Sequence, residues 1–239
     1  MPILEGKGVT RYFGGLTAVS KVDFDVENGE IVGLIGPNGA GKTTLFNLIS
    51  AALPAQRGII TFKGVKITGM KPHQICKLGI ARTFQSVKIF PNLTVKENVT
   101  LGALFGKSPG MSADTAMKEA GELIDFVGLT ASKDTPAKDL TLVNQKRIEV
   151  ARALATNPDL MLLDELMAGL NRTEISEAMD LVSRIRDRKI TIVMIEHVMT
   201  AIMNICNRII VLHHGETIAE GTPEEVSTSK RVIEVYLGE

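Results

Sequence analysis

Apolar and polar positions alternate from Val22 to Val26, the mark of a half-buried strand. Ile31 to Ile35 is a nearly continuous apolar run, as a fully buried parallel strand would be. A glycine-rich turn follows, and Lys42 to Ala52 then reads as a helix. Gly58 to Lys63 and Ile80 to Phe84 look like further strands. From about Ser86 to Asn157 the texture becomes helical. Met117, Ala120, Leu123, Ile124 and Val127 recur at spacings of three and four, and Ile148, Ala151, Arg152 and Ala155 do the same within Thr141 to Ala155, before Pro158. Strand patterns return at Leu160 to Leu163, Ile190 to Ile195 and Arg208 to Leu212, with helical stretches after the first two. Alternating strands and helices predict an α/β core with a parallel sheet, interrupted by a helical insert. His213-His214-Gly215-Glu216 between apolar runs predicts a hairpin turn.

Composition narrows the class. The 239 residues are 44% hydrophobic and 23% charged, which suits a globular chain and argues against disorder. Lys+Arg and Asp+Glu both number 27, so no basic stripe signals nucleic acid as a partner. No apolar run reaches the roughly 18 residues of a membrane span; Ile190 to Leu212 is broken by Glu196, His197, Asn204, Asn207 and Arg208. The opening Met-Pro-Ile-Leu-Glu-Gly-Lys is not read as a secretory signal. Cys76 and Cys206 form no C-x-x-C pair and read as small buried hydrophobes in a reducing compartment.

Gly36-Pro37-Asn38-Gly39-Ala40-Gly41-Lys42-Thr43 fits G-x-x-x-x-G-K-[ST]. Glycines let successive backbone N–H groups turn inward around a polyphosphate without Cβ clashes. The helix starting at Lys42 adds its positive end. Lys42 supplies a point charge for the β- and γ-phosphates, and Thr43 offers a hydroxyl to Mg²⁺. A strand before and a helix after give the motif its expected context. The dinucleotide fingerprint G-x-G-x-x-G is absent, because Gly39-x-Gly41 runs on to Thr44.

A second site is implied where Leu160-Met161-Leu162-Leu163 ends in Asp164-Glu165. Burying carboxylates without partners is costly, and Mg²⁺ with a triphosphate is a natural partner. Asp164 can hold Mg²⁺ directly or through water, while Glu165 is placed to orient the attacking water. His197 and Gln85 close two further predicted strands, at the sheet edge where such folds bind ligands. His73, His213 and His214 read as solvated surface.

The order of phosphate loop, Gln85, Asp164-Glu165, Ala168-Gly169-Leu170-Asn171 and His197 resembles the nucleotide-binding subunit of an ABC transporter over nearly the whole chain. Arg11 to Val19, Gly79 to Gln85 and Ile218 to Val226 are similar to the ATP-binding proteins of branched-chain amino-acid importers. The resemblance implies a single ABC domain over 1–239: a RecA-like P-loop NTPase core (1–85 and 158–239), an antiparallel β subdomain and an α-helical subdomain at about 86–157. It implies ATP and Mg²⁺ as ligands. Phe13 would stack on adenine, with Tyr12 as the fallback. Gly36 to Thr44 would cradle phosphates, with Gln85 and Asp164 beside Thr43 at the metal. Lys42, Glu165 and His197 would be catalytic. Implied partners are integral-membrane permease subunits, a second ATP-binding subunit and, indirectly, a solute-binding protein. The implied location is peripheral, on the cytoplasmic face of the membrane, with the isolated subunit soluble.

The family's Leu-Ser-Gly-Gly-Gln signature falls on Leu140-Thr141-Leu142-Val143-Asn144, where Thr141 and Asn144 would touch the opposite subunit's nucleotide. Val143 replaces the second glycine, and its branched side chain hampers close approach. Leu166 replaces the usual proline after Glu165, and Asn171 stands where many relatives have Asp. The signature change predicts a weaker site on that side and leaves a poorly hydrolysing ATP-dependent clamp open. Related ABC systems for urea, amide or lipid cargo also stay open. A GTPase switch lacks its Asn-Lys-x-Asp motif here. A soluble ABC ATPase for DNA or ribosomes lacks its usual tandem cassettes, coiled-coil insertion or basic surface.

Overall fold

The computed structural model describes residues 1–107 and 110–237. Gly238 and Glu239, and residues 108 and 109 within the helical insert, lie outside the described residues. In chain order the elements are β1 (Leu4–Phe13), β2 (Leu16–Val26), β3 (Ile31–Ile35), α1 (Lys42–Ile49), β4 (Arg57–Phe62), β5 (Val65–Lys66), α2 (Pro72–Leu78), β6 (Ile80–Arg82), α3 (Val95–Phe105), α4 (Ala113–Phe126), α5 (Leu142–Ala155), β7 (Leu160–Asp164), α6 (Arg172–Asp187), β8 (Thr191–Ile195), α7 (Met199–Ile205), β9 (Arg208–His213), β10 (Glu216–Gly221), α8 (Pro223–Thr228) and α9 (Lys230–Leu237). Two compact units emerge: Met1–Pro72 together with the chain from Val182 on, and His73–Leu181.

The first unit holds an antiparallel sheet in the order β2-β1-β4-β5. It also holds β3 flanked by β8 and β9, both parallel to it, with β10 antiparallel to β9. All five residues of β3 and all five of β8 are buried, as continuous apolar runs in a parallel sheet require. β1 has no counterpart among the strand patterns read from sequence. Gly6, Gly8 and three register shifts against β2 break its alternation. β2 likewise begins at Leu16, well before the alternating stretch at Val22. The predicted hairpin is present: Glu216 pairs with His213 across His214 and Gly215, both at positive φ (47° and 80°), as a two-residue type I′ turn demands. Arg208 on β9 ties this unit together with ion pairs to Asp25 (3.2 Å), Glu30 (2.7 Å) and Glu220.

In the second unit β6 runs parallel to β7, which is buried throughout. The insert is built from α3, α4 and α5 with two short 3₁₀ turns between α4 and α5. α4 starts where the Ser112 hydroxyl accepts from Thr115 N–H, and buries Ala116, Ala120, Leu123 and Ile124 at helical spacing. The buried stripe is rotated slightly from the predicted one: Ala116 takes the inward place and Met117 is 38% exposed. Cys206 is buried, and burial next to Glu196 pushes its thiol up to about 12. Cys76 is only half-buried.

Candidate functional site

The phosphate loop leaves β3 and enters α1 within the first unit. Gly36, Gly39 and Gly41 take φ of 148°, 81° and 103°, values that L side chains rarely adopt. A Cβ on Gly36 would collide with the Leu212 carbonyl, and one on Gly41 with the Ala18 carbonyl. One on Gly39 would meet no atom within 4 Å, so the loop keeps an open face. α1 has no side-chain cap and no acid in its first turn, so its positive end is left for a ligand. Lys42 is buried and its Nζ donates to the carbonyls of Gly36 (2.6 Å) and Pro37 (2.9 Å), folded over the loop it serves. His214 is exposed, as read from sequence, and His213 is half-buried, on the turn that leads into the buried Gly215. Gly215 N–H donates to the Ala40 carbonyl (3.0 Å) while its own carbonyl accepts from Ser20 N–H (2.8 Å), bracing the loop from behind.

Phe13 ends β1 at 42% exposure, with the Arg11 guanidinium 4.8 Å above its ring. A flat exposed ring backed by a cation is suited to stacking on a base. Tyr12 is half-buried, and its N–H donates to Gln56 Oε1. His197 lies two residues past the end of β8, exposed, beside the buried Glu196.

The acidic cluster lies in the second unit. Asp164 is the last residue of β7 and is 2% exposed. Its Oδ2 accepts from Arg82 at 2.8 Å, and its N–H donates to the Thr83 hydroxyl (3.2 Å). Glu165 turns off the strand with φ 52°, a left-handed conformation uncommon for a non-glycine residue. Gln85 lies three residues past the end of β6, rather than closing a strand that runs to Phe84. Its Nε2 donates to Glu165 Oε2 at 3.0 Å. Thr141 caps α5, accepting from Asn144 N–H (3.4 Å), so Val143 occupies the helix's first turn.

Sequence reasoning missed three side chains here. Arg82 pairs with Asp164, and its signal was a cation inside a strand adjoining the two acids. Lys146 and Glu149 are charged residues that α5 buries, at 6% and 3% exposure. Their spacing beside Ile148 and Ala151 reads as an ordinary polar face, so nothing in the pattern marked them.

A family model described as ABC transporter matches residues 19–168. The chain belongs to the ABC transporter family. It is an ATP-binding cassette ATPase. A second model, described as branched-chain amino acid ATP-binding cassette transporter, matches residues 216–239. The high-affinity branched-chain amino acid transport ATP-binding protein BraF of Pseudomonas aeruginosa is 38% identical over 252 residues, spanning 100% of this chain and 98% of BraF. A crystal structure of an ABC transporter's ATP-binding cassette in its ADP conformation is 31% identical, covers 100% of both chains and superposes with a TM-score of 0.89. A dimeric ATP-binding cassette in a post-hydrolysis state with ADP and Pi is 28% identical, covers 92% of this chain and 98% of its own, with a TM-score of 0.83. As an ABC cassette, this chain carries the phosphate loop in the first unit, and Gln85, the acids and the signature segment in the second.

Thr43 hydroxyl in the first unit, and Gln85 amide and Asp164 carboxylate in the second, are each hard oxygen donors of the kind Mg²⁺ takes. Among the described residues no group of three or more His, Cys, Asp or Glu side chains could hold a metal by itself. An ion that takes most of its shell from phosphate and water needs no such cage.

Proposed function

We propose that the chain hydrolyses Mg-ATP to energise import of branched-chain amino acids. Full-length similarity to BraF supports the reading, and the single observation that carries the cargo is the match of residues 216–239 to the branched-chain family model. In this reading the amides of Gly36 to Thr44 and the Lys42 ammonium bind the triphosphate, and Phe13 stacks on adenine. Thr43, Gln85 and Asp164 would hold Mg²⁺, whose charge offsets that of the phosphates. Glu165 orients water for in-line attack, and Lys42 and His197 stabilise the charge that develops on the γ-phosphoryl group. A second ATP-binding subunit supplies the signature that completes the site. This chain's own Thr141 and Asn144 serve the opposite site. The helical subdomain at about 86–157, with Gln85, faces integral-membrane permease subunits, to which a solute-binding protein delivers cargo. The chain then sits peripherally at the cytoplasmic face. Among the described residues no helix is long and apolar enough to cross a membrane.

The test is reconstitution with the membrane subunits that co-purify with the chain, followed by measurement of leucine, isoleucine and valine uptake against ATP consumed. Uptake coupled to phosphate release is expected, with Glu165→Gln still binding Mg-ATP but hydrolysing it at least about a hundredfold more slowly. Undiminished turnover in Glu165→Gln removes that residue from the role. Uptake of urea or amides instead of these amino acids overturns the cargo.

A further inference from the structure

α5 carries the signature segment at its N-terminus, and one side of the same helix reaches two other loops of its unit. Lys146 Nζ donates to the carbonyls of Glu165 (3.1 Å), Leu166 (2.9 Å) and Ala168 (2.7 Å). Three residues on, the Glu149 carboxylate accepts at both oxygens: Lys88 N–H at Oε1 (2.9 Å) and Phe84 N–H at Oε2 (3.4 Å). Another three residues on, the Arg152 guanidinium donates to the Lys88 carbonyl. Steps of three keep these side chains on neighbouring positions of the helix surface. The loop held by its carbonyls begins at Glu165. The loop held by its amides, Phe84 to Lys88, contains Gln85. Between the two loops runs the Gln85–Glu165 hydrogen bond (3.0 Å).

Burying an ammonium and a carboxylate is a poor route to stability, since apolar side chains of similar volume serve a helix interface as well or better. What charged groups offer here is valence. An ammonium has three donors and meets three carbonyls; a carboxylate has two oxygens and meets two amides. Those five backbone groups lie in loops outside the strands, and one of them, the Glu165 carbonyl, also accepts from Ala168 N–H (3.2 Å). The left-handed turn at Glu165 is the kind of strained backbone that persists only where surroundings over-determine it.

We infer that Lys146 and Glu149 are positioning residues: together they bracket the Glu165 and Gln85 loops to the signature helix and set the geometry of the Gln85–Glu165 pair. The inference rests on the hydrolytic role proposed for Glu165. Neither residue touches nucleotide in this reading, so their loss acts on turnover and leaves binding at the phosphate loop intact.

The experiment compares Lys146→Met, Lys146→Gln, Glu149→Leu, Glu149→Gln and Glu165→Gln in the assembled transporter, reading the Kd for Mg-ATP, KM, kcat and Tm. Expected are Kd and KM within about twofold of the parent, and kcat down about ten- to a hundredfold in Lys146→Met and Glu149→Leu, as for a reacting group displaced by about an ångström. Lys146→Gln keeps two donors and Glu149→Gln one acceptor, so both should recover part of that loss. Should the apolar variants not assemble, the amide variants decide: intermediate kcat supports the bracket, and parental kcat overturns it. A lowered Tm with unchanged kcat per folded molecule also overturns it, since that is a purely structural role. Full turnover in Glu165→Gln would instead sink the hydrolytic reading itself.

Discussion

Glu165 and Val143 show how a single residue decides chemistry here. Glu165 follows a strand of buried apolar residues, yet its left-handed backbone breaks the strand direction and carries the carboxylate to Gln85. The strand end was legible in sequence, but the left-handed backbone was not, since a non-glycine residue seldom adopts it. Val143 was legible: a β-branched residue in the first turn of α5, where the signature pattern has glycine. On the proposed reading, in which this segment meets the opposite subunit's nucleotide, its branched side chain hampers close approach to the helix start. Val143→Gly is therefore expected to raise ATPase activity in a homodimer by several-fold, on the order of the effect of removing one steric misfit. No change, or a decrease, in steady-state phosphate release would count against that reading. Glu149 adds a lesson in burial. Desolvation raises its pKa even though two amides, Arg152 and Lys146 pull the other way.

Helices and strands of this chain were readable where local chemistry and burial agree. β3 and β8 are as predicted to within a residue, because continuous apolar runs suit strands buried on both faces. α5 likewise begins at its Thr141 cap and ends before Pro158. α3 has a full capping box: Thr94 Oγ accepts from Glu97 N–H (3.1 Å), and Glu97 Oε2 accepts from Thr94 N–H (2.8 Å). Thr94→Ala should cost about 1 kcal/mol in urea unfolding while Thr94→Ser stays close to neutral, the usual balance for an N-cap. Asn171 has a similar job at α6, where its Oδ1 accepts from Thr173 and Glu174 N–H. A local capping role thus accounts for an asparagine at that position. β1 escaped sequence reading because its partners come from β2 and β4, and pairing of that kind is set by neighbours rather than by alternation along the strand.

At the scale of the whole chain, binding should report on folding. A ligand that binds only the native state stabilises it by about 2.7 kcal/mol at a hundred times its Kd. For a chain of this size that corresponds to a rise in Tm of about 5–10 °C with Mg-ATP. Lys42→Ala should abolish most of the shift in a thermal melt; an equal shift in that variant would show that the nucleotide is held elsewhere. The sequence alone determined the fold class, the phosphate loop, the twin acids and the family, because glycine spacing, a lysine at a helix start and carboxylates after an apolar run are written in local order. Only the tertiary structure decided that Arg82 faces Asp164, that the His214-Gly215 turn braces the loop, and that Lys146 and Glu149 lie inside. Those partners are distant along the chain, and a charged residue on a helix carries no local mark of whether water or a backbone carbonyl will meet it.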